Sequence, residues 1–359
     1  MPRVQVFPAV DFPSEYWALW ANLQRSSSIY DNPFFRPEFT QAVATVRDNV
    51  EIAVLFEGER VIGFFPFERF GKAVGRPVGG VLNYLHGPIV EPQATWTMEE
   101  LVRGCRLKAW DFLHLPVSIP SCARYHRRAA GSPYVDVSRG FATYCEEHRR
   151  NGHKRIPQAF SRYRKLEREV PPVRFEYHTV DMNALDKMAE WKSAQYQRTH
   201  ETNIFAMDWV IQLLRRILMV EPTEAFAPVL SVLYAAEQPI AVSFAISSYR
   251  VQHGWHTGYD PAFATYSPGL NMLLKMAEAA AERGIDRIDL ARGEQDFKQS
   301  LMSGETMVAE GAVDFSPLRV TARKVWRGFA EAVHGSRFAA PIDLSVRWIR
   351  QWRELYMFR

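Results

Sequence analysis

Apolar residues recur at helical spacing in SEYWALWANLQ (14–24) and RPEFTQAVATV (36–46). They then change to the dense or alternating pattern of strands in EIAVLFE, RVIGFFPFERF and VLNYLHGPIV, with a turn around Gly58-Glu59. A helix over 97–107, a strand near Trp110–Leu115 and an irregular stretch to Ser138 complete the first half. The second half repeats the order. DMNALDKMAEWKSAQY and MDWVIQLLRRILM predict helices, and VLSVLYAA, PIAVSFAISSY and VQHGWHTGY predict strands. GLNMLLKMAEAAAERG and IDRIDLA add a further helix and strand. Phe35-x-x-x-Phe39 matches Phe205-x-x-x-Trp209 at an offset of 170 residues, and Val54-Leu55-Phe56 matches Val232-Leu233-Tyr234 at 178. The same order at a near-constant offset implies a duplicated α/β unit, each copy burying a sheet under its own helices.

Between the halves, HRRNGHKRIPQAFSRYRKLEREVPP predicts a basic helix ended by Pro171-Pro172. Residues 149–168 carry +7 and residues 319–359 carry +6, so a net charge of +4 leaves −9 on the remainder. Such a distribution suggests local anion contacts rather than a DNA-binding surface. The connecting helix reads either as a solvated linker or as an electropositive wall for a phosphorylated ligand, with Arg162, Arg164 and Lys165 as the candidates for the second role. The tail PIDLSVRWIRQWRELYMFR (341–359) alternates arginine with aromatic and aliphatic residues at helical spacing. Either it packs back on the body, or it meets an anionic inner-membrane face or a cyclic-dinucleotide messenger.

With 47% apolar and 23% charged residues over 359 positions, the chain is an ordinary folded protein of about two domains, and disordered, collagen-like and disulfide-miniprotein classes are excluded. The most apolar stretch, Ala225–Ser247, is broken by Glu237, Gln238 and Pro239 and is no membrane span. The start MPRVQVFPAVDFPSEYW lacks the pattern of a signal peptide. Cys105, Cys122 and Cys145 fit reduced packing residues. The expectation is a cytoplasmic protein, with the tail as a route to the inner membrane.

The densest chemistry lies in residues 259–305. Ser267-Pro268-Gly269 opens a helix with an N-cap hydroxyl, proline at the first helical position and then a residue without Cβ. Either this is a well-capped core helix, or its amides and dipole hold an anion. The strand IDRIDLA ends at Asp289, followed by Arg292-Gly293-Glu294 and Lys298, where ligand crevices of α/β sheets form. A salt bridge from Asp289 to Arg292 or Lys298 is the structural alternative. In VQHGWHTGY, Val251, His253, Trp255, Thr257 and Tyr259 share one face, and Gln252, Gly254, His256 and Gly258 the other. His256 or His253 is a candidate general base, with a structural imidazole as the alternative, and Tyr259 is a candidate proton donor. There is no G-x-G-x-x-G, Walker A loop, G-x-S-x-G, H-E-x-x-H or C-x-x-C, so the motifs imply neither a nicotinamide nor a metal.

The order Ser-Pro-Gly, helix, D-L-x-R-G-x-x-x-F-K resembles the tandem GNAT-fold proteins of the CelD-like and Fem-like group. YLHGPIV, SPYVDV followed by RYRKLERE, and RTHETNIFAMDWVIQLL also resemble stretches of that group, and the likeness covers residues 10–316. The resemblance implies a duplicated α/β fold of two mixed sheets flanked by helices. It places an N-terminal GNAT-like domain at 1–148, a connecting helix at 149–172, a donor-binding domain at 173–316 and basic helices at 317–359. It implies transfer from acyl-CoA to an amine or hydroxyl of a saccharide or cell-envelope precursor. Ser267, Gly269, Leu270, Arg292 and Gly293 would bind the donor, Asp289, Lys298, His256 and Tyr259 would be catalytic, and Arg162, Arg164 and Phe297 would hold substrate. Ala264 to Gly269 lacks the basic start and first glycine of the usual coenzyme A loop. An aminoacyl-tRNA donor, or a non-catalytic regulator or scaffold of polysaccharide biosynthesis, are therefore the alternatives.

Overall fold

In a computed structural model the described residues are 2–292 and 296–316. Gly293 and the 317–359 tail, to which the sequence assigns donor binding and membrane or nucleotide contact, lie outside them. The elements of the first part are β1 (Arg3–Pro8), α1 (Ser14–Arg25), α2 (Pro37–Ala44), β2 (Val50–Glu57), β3 (Arg60–Phe70), β4 (Val74–Arg76), β5 (Ile89–Val90), α3 (Met98–Gly104), β6 (Ala109–Pro116) and β7 (His126–Asp136). Then follow α4 (Phe141–Arg150), α5 (Arg155–Glu169), β8 (Val173–Glu176), α6 (Met182–Thr199), α7 (Asp208–Leu218), β9 (Ala227–Ala235), β10 (Gln238–Ser248) and β11 (Val251–Tyr259). The chain continues through α8 (Pro268–Glu282), β12 (Arg287–Asp289), α9 (Asp296–Gln299) and β13 (Gly304–Asp314).

Internal contacts divide these residues into two units. The first holds residues 2–29, 47–129 and 308–316, and the second residues 30–46 and 130–307. In the first unit the strands run β1-β2-β3-β4-β6-β13, with β5 on β3. β4 and β6 pair in parallel and the other neighbours antiparallel. Trp20 of α1 stacks on Phe64 at 5.6 Å and Trp110 meets Phe65 edge-on at 5.0 Å, which anchors α1 and β6 in the core.

In the second unit the order is β8-β9-β10-β11-β12-β7, with β11 and β12 parallel and the rest antiparallel. Both units thus carry three antiparallel pairings, one parallel pairing and a last antiparallel strand. The duplication is architectural. Its two hydrophobic signatures also match locally: Phe35 and Phe205 each sit in a short 3-10 turn that leads into α2 or α7, and Val54–Phe56 and Val232–Tyr234 lie in β2 and β9, the second strand of each order.

The boundaries differ from the sequence expectation. The segment 30–46, most of β7 and the connecting helix α5 belong to the second unit, and the end of β13 belongs to the first. Hydrophobic order along the chain shows that a copy exists but carries no record of which half supplies its last strand. β10 begins at Gln238, one residue before the predicted PIAVSFAISSY, and the hairpin turn falls on Ala236-Glu237, both at positive φ (47° and 63°).

Candidate active site

Two features of the second unit make a cleft. β11 is held along its whole length by β10, but it pairs with β12 only over Val251–His253, against Arg287–Asp289. Gly254–Tyr259 therefore run on past the end of β12 as the edge of the strand that faces away from β10. At the end of that edge the chain turns through Pro261–Tyr266 into α8, and a pocket of ≈340 Å³ opens there. Arg155, Gln158 and Arg162 of α5 line one side; Tyr259, Ser267, Gly269, Leu270 and Phe297 are among the others.

The mouth of α8 is built differently from the expected cap. Ser267 lies in the left-handed region (φ 53°) and its hydroxyl caps nothing; it accepts instead from the Arg162 guanidinium. The Leu270 and Asn271 amides donate to the Ser267 carbonyl at 3.1 and 3.0 Å, and Pro268 has no N–H. What remains for an anion is the Gly269 amide, so most of the positive potential comes from Arg155 and Arg162 rather than from a row of bare amides. A Cβ on Gly269 would meet Tyr259 Cδ1 at 3.2 Å, so glycine lets the tyrosine ring close over the helix start.

Ser267, Gly269, Leu270, Tyr259, Arg162 and Phe297 line this one pocket together. Arg164 does not: it lines a separate, mostly apolar groove of ≈510 Å³ with Phe141, Cys145 and Phe160. Helical phase is the reason, since residues two apart on α5 point about 200° apart. Lys165 lies near Glu169, not in the pocket. Arg292 lines neither space, and its carbonyl receives a long 3.5 Å contact from Lys298.

Asp289 is buried at the end of β12. It makes neither of the expected bridges; its partners are Arg287, at 3.0 Å, and Asn32, whose Nδ2 donates to Oδ2 at 2.7 Å. Desolvation raises its pKa against the pull of Arg287. A carboxylate so enclosed positions the strand end and is not placed to accept a substrate proton. Asn32 went unnoticed in the sequence because no local pattern joins residues 257 positions apart.

The β11 faces are as the alternation implies. His253 and Trp255 meet Phe34, at 4.9 and 5.6 Å, and His256 meets Phe205 at 5.1 Å on the α6 side. Burial, aided by the charge of Lys192, pushes the His256 pKa down to about 3. Burial thus disfavours the protonated imidazole that the general-base role suggested by the sequence would have to form. Lys298 is also buried; its ammonium donates to the Ala291 carbonyl at 3.1 Å, and burial together with Lys192 brings its pKa to about 8. No group of three or more metal-ligating side chains occurs among the described residues.

Residues 154–299 match the family described as acetyltransferase (GNAT) domain. The fold is GNAT-like. FemX superposes with a TM-score of 0.59 at 8% identity, over 89% of this chain and 99% of that one. A tandem GNAT protein from the clavulanic acid biosynthesis pathway gives 0.50 at 12%, over 88% and 99%. A conserved protein of unknown function from Bacteroides thetaiotaomicron gives 0.51 at 11%, over 87% and 99%. No curated protein shows significant sequence similarity to the chain.

Proposed function

We propose that the protein is an acyltransferase that moves an acyl group from acyl-CoA to an amine or hydroxyl of a saccharide or cell-envelope precursor. The observation that carries this reading is the pocket at the start of α8, where Arg155, Arg162 and Gly269 surround a space suited to a diphosphate. The open edge of β11 continues from it. An amide-containing donor arm is able to add to that edge as an extra strand does, which brings its carbonyl toward the Lys298 end.

Direct attack is the simplest chemistry. The nucleophile's lone pair forms the new bond to the acyl carbon, the carbon–sulfur bond breaks, and the nucleophile's proton is released as the thiolate is protonated. Tyr259 lines the pocket and is our candidate for that last proton. Asp289 serves as a positioning residue through Asn32 and Arg287. The saccharide or envelope acceptor rests on the likeness of the Ser267-Pro268-Gly269 and Phe297-Lys298 segments to CelD-like and Fem-like proteins.

The test is a thermal-shift and calorimetric titration with CoA, acetyl-CoA and longer acyl-CoAs. Binding that weakens in Arg162→Ala is expected. Absence of any CoA response overturns the donor assignment, and a response to charged tRNA in its place points to the aminoacyl donor.

A further inference from the structure

One cluster in the second unit has no part in the donor pocket. Gly258 of β11 touches α6 so closely that a Cβ there would lie 2.7 Å from the Met188 carbonyl oxygen. His256 is the next residue on that face of the strand, and Lys192 is one turn beyond Met188 on the helix. After burial, the positive charge of Lys192 is what lowers the pKa of both His256 and Lys298. Rings continue the same wall: Lys192 Nζ lies 4.6 Å from the Tyr196 centroid, Tyr196 stacks on Phe205, and Phe205 meets His256.

The polar contacts inside the cluster leave donors unused. Lys192 Nζ donates to Gln195 Oε1 at 3.1 Å, and Lys298 Nζ donates to main-chain carbonyls at 3.1 and 3.5 Å. An ammonium has three donors. His256 is 3% exposed and its Nε2 has no partner. No acidic side chain among the described residues is among the causes that shift any of the three. Two half-buried or buried ammoniums beside an unsatisfied imidazole, with no balancing carboxylate among the described residues, form a site complementary to an anion.

We propose that Lys192, Lys298 and His256 form a subsite for an oxyanion, a phosphate or a carboxylate, carried by the acceptor molecule. His256 contributes a neutral N–H, and the two lysines contribute charge. The position suits an acceptor. His256 is three residues from Tyr259 along β11, about 10 Å from the donor mouth, and Lys298 directly follows the pocket residue Phe297. Calling the ligand an acceptor rests on the acyltransferase reading; the anion site itself does not.

The experiment titrates inorganic phosphate and, separately, succinate into the full chain, followed by calorimetry and melting temperature, for wild type, Lys192→Gln and Arg162→Ala. We expect wild type to bind at least one of them, Lys192→Gln to weaken that binding by about tenfold or more, and Arg162→Ala, which removes only what the donor pocket holds, to keep the binding that Lys192→Gln loses. The stronger of the two probes identifies the source of the oxyanion. Lys192→Gln should keep its response to CoA. Wild-type silence toward both probes, unaltered binding in Lys192→Gln, or loss in Arg162→Ala alone overturns the proposal. Should Lys192→Gln fail to fold, wild-type phosphate binding between pH 7.5 and 9.5 decides: affinity falls as the lysines lose protons, and constant affinity sinks the site. Phosphate binding without any CoA response would retain this site and remove the acyl-CoA reading.

Discussion

Asn32 Nδ2 donates to Asp289 Oδ2 at 2.7 Å, while Asn32 Oδ1 accepts from the Phe34 amide at 3.0 Å. One side chain thus caps the turn Pro33–Phe35 and holds the end of β12, across 257 residues of sequence. Both residues are buried. This bond helps fix residues 30–46 in the second unit, because a buried carboxylate needs each of its donors.

Asn32→Ala should therefore destabilise the protein by about 1–3 kcal/mol, the cost of leaving one carboxylate oxygen unsatisfied. Asp289 has its folded pKa raised by burial. Its ionised form is thus the disfavoured one, and its contribution to stability falls as pH rises from the unfolded value toward the folded value. Asn32→Ala raises that folded pKa further, so urea unfolding should show a larger penalty at pH 8 than at pH 5. An equal penalty at both would mean that the bond does not sense the charge.

In the donor pocket, Arg162→Ala should weaken CoA binding by about tenfold, the loss of one charge-assisted contact. Arg164→Ala, two residues away but lining the apolar groove beside Phe160, should change it less than about twofold. Calorimetry on the pair separates local recognition from the general basicity of α5. Equal losses would show that the helix acts only through its net charge.

The fold was largely legible because the signals that encode it are local. Alternation in VQHGWHTGY identified which histidine faces which side, and the Phe35 and Phe205 turns marked the repeat. Ser267-Pro268-Gly269 located the helix mouth but misled about its cap, since the sequence gives no sign that Ser267 takes a positive φ and turns its hydroxyl to Arg162. Asn32 and Lys192 were not legible. The first acts across the whole chain, and the second reads as one more polar residue in an amphipathic helix until β11 is seen beneath it.

His256 should stay neutral across the physiological range. With a folded pKa of about 3 against about 6.5 in the unfolded chain, it opposes folding progressively as pH falls below the unfolded value, and it has no effect above it. Its imidazole resonances should not titrate between pH 5 and 8, and His256→Gln should leave the pH–rate profile of acyl transfer unchanged in shape. A titration near pH 6.5 would return His256 to the list of bases.

Lys298 supplies the reverse test, a base whose protonated form is held in an unfavourable place. Its folded pKa of about 8 lies below the unfolded value of about 10.4, first through burial and then through Lys192. The folded state therefore releases the proton more readily than the unfolded one. Stability rises with pH between those values, and the full penalty applies below the lower one. Lys298→Met keeps the buried stem and removes the charge, so at pH 7 it should be more stable than wild type, on the order of 1–2 kcal/mol after the lost carbonyl contacts are counted. The advantage should shrink toward pH 10, while acyl transfer and anion binding both fall. A variant that is stabilised yet loses turnover marks a residue whose charge serves the reaction at the expense of the fold. Unchanged turnover would remove Lys298 from the site.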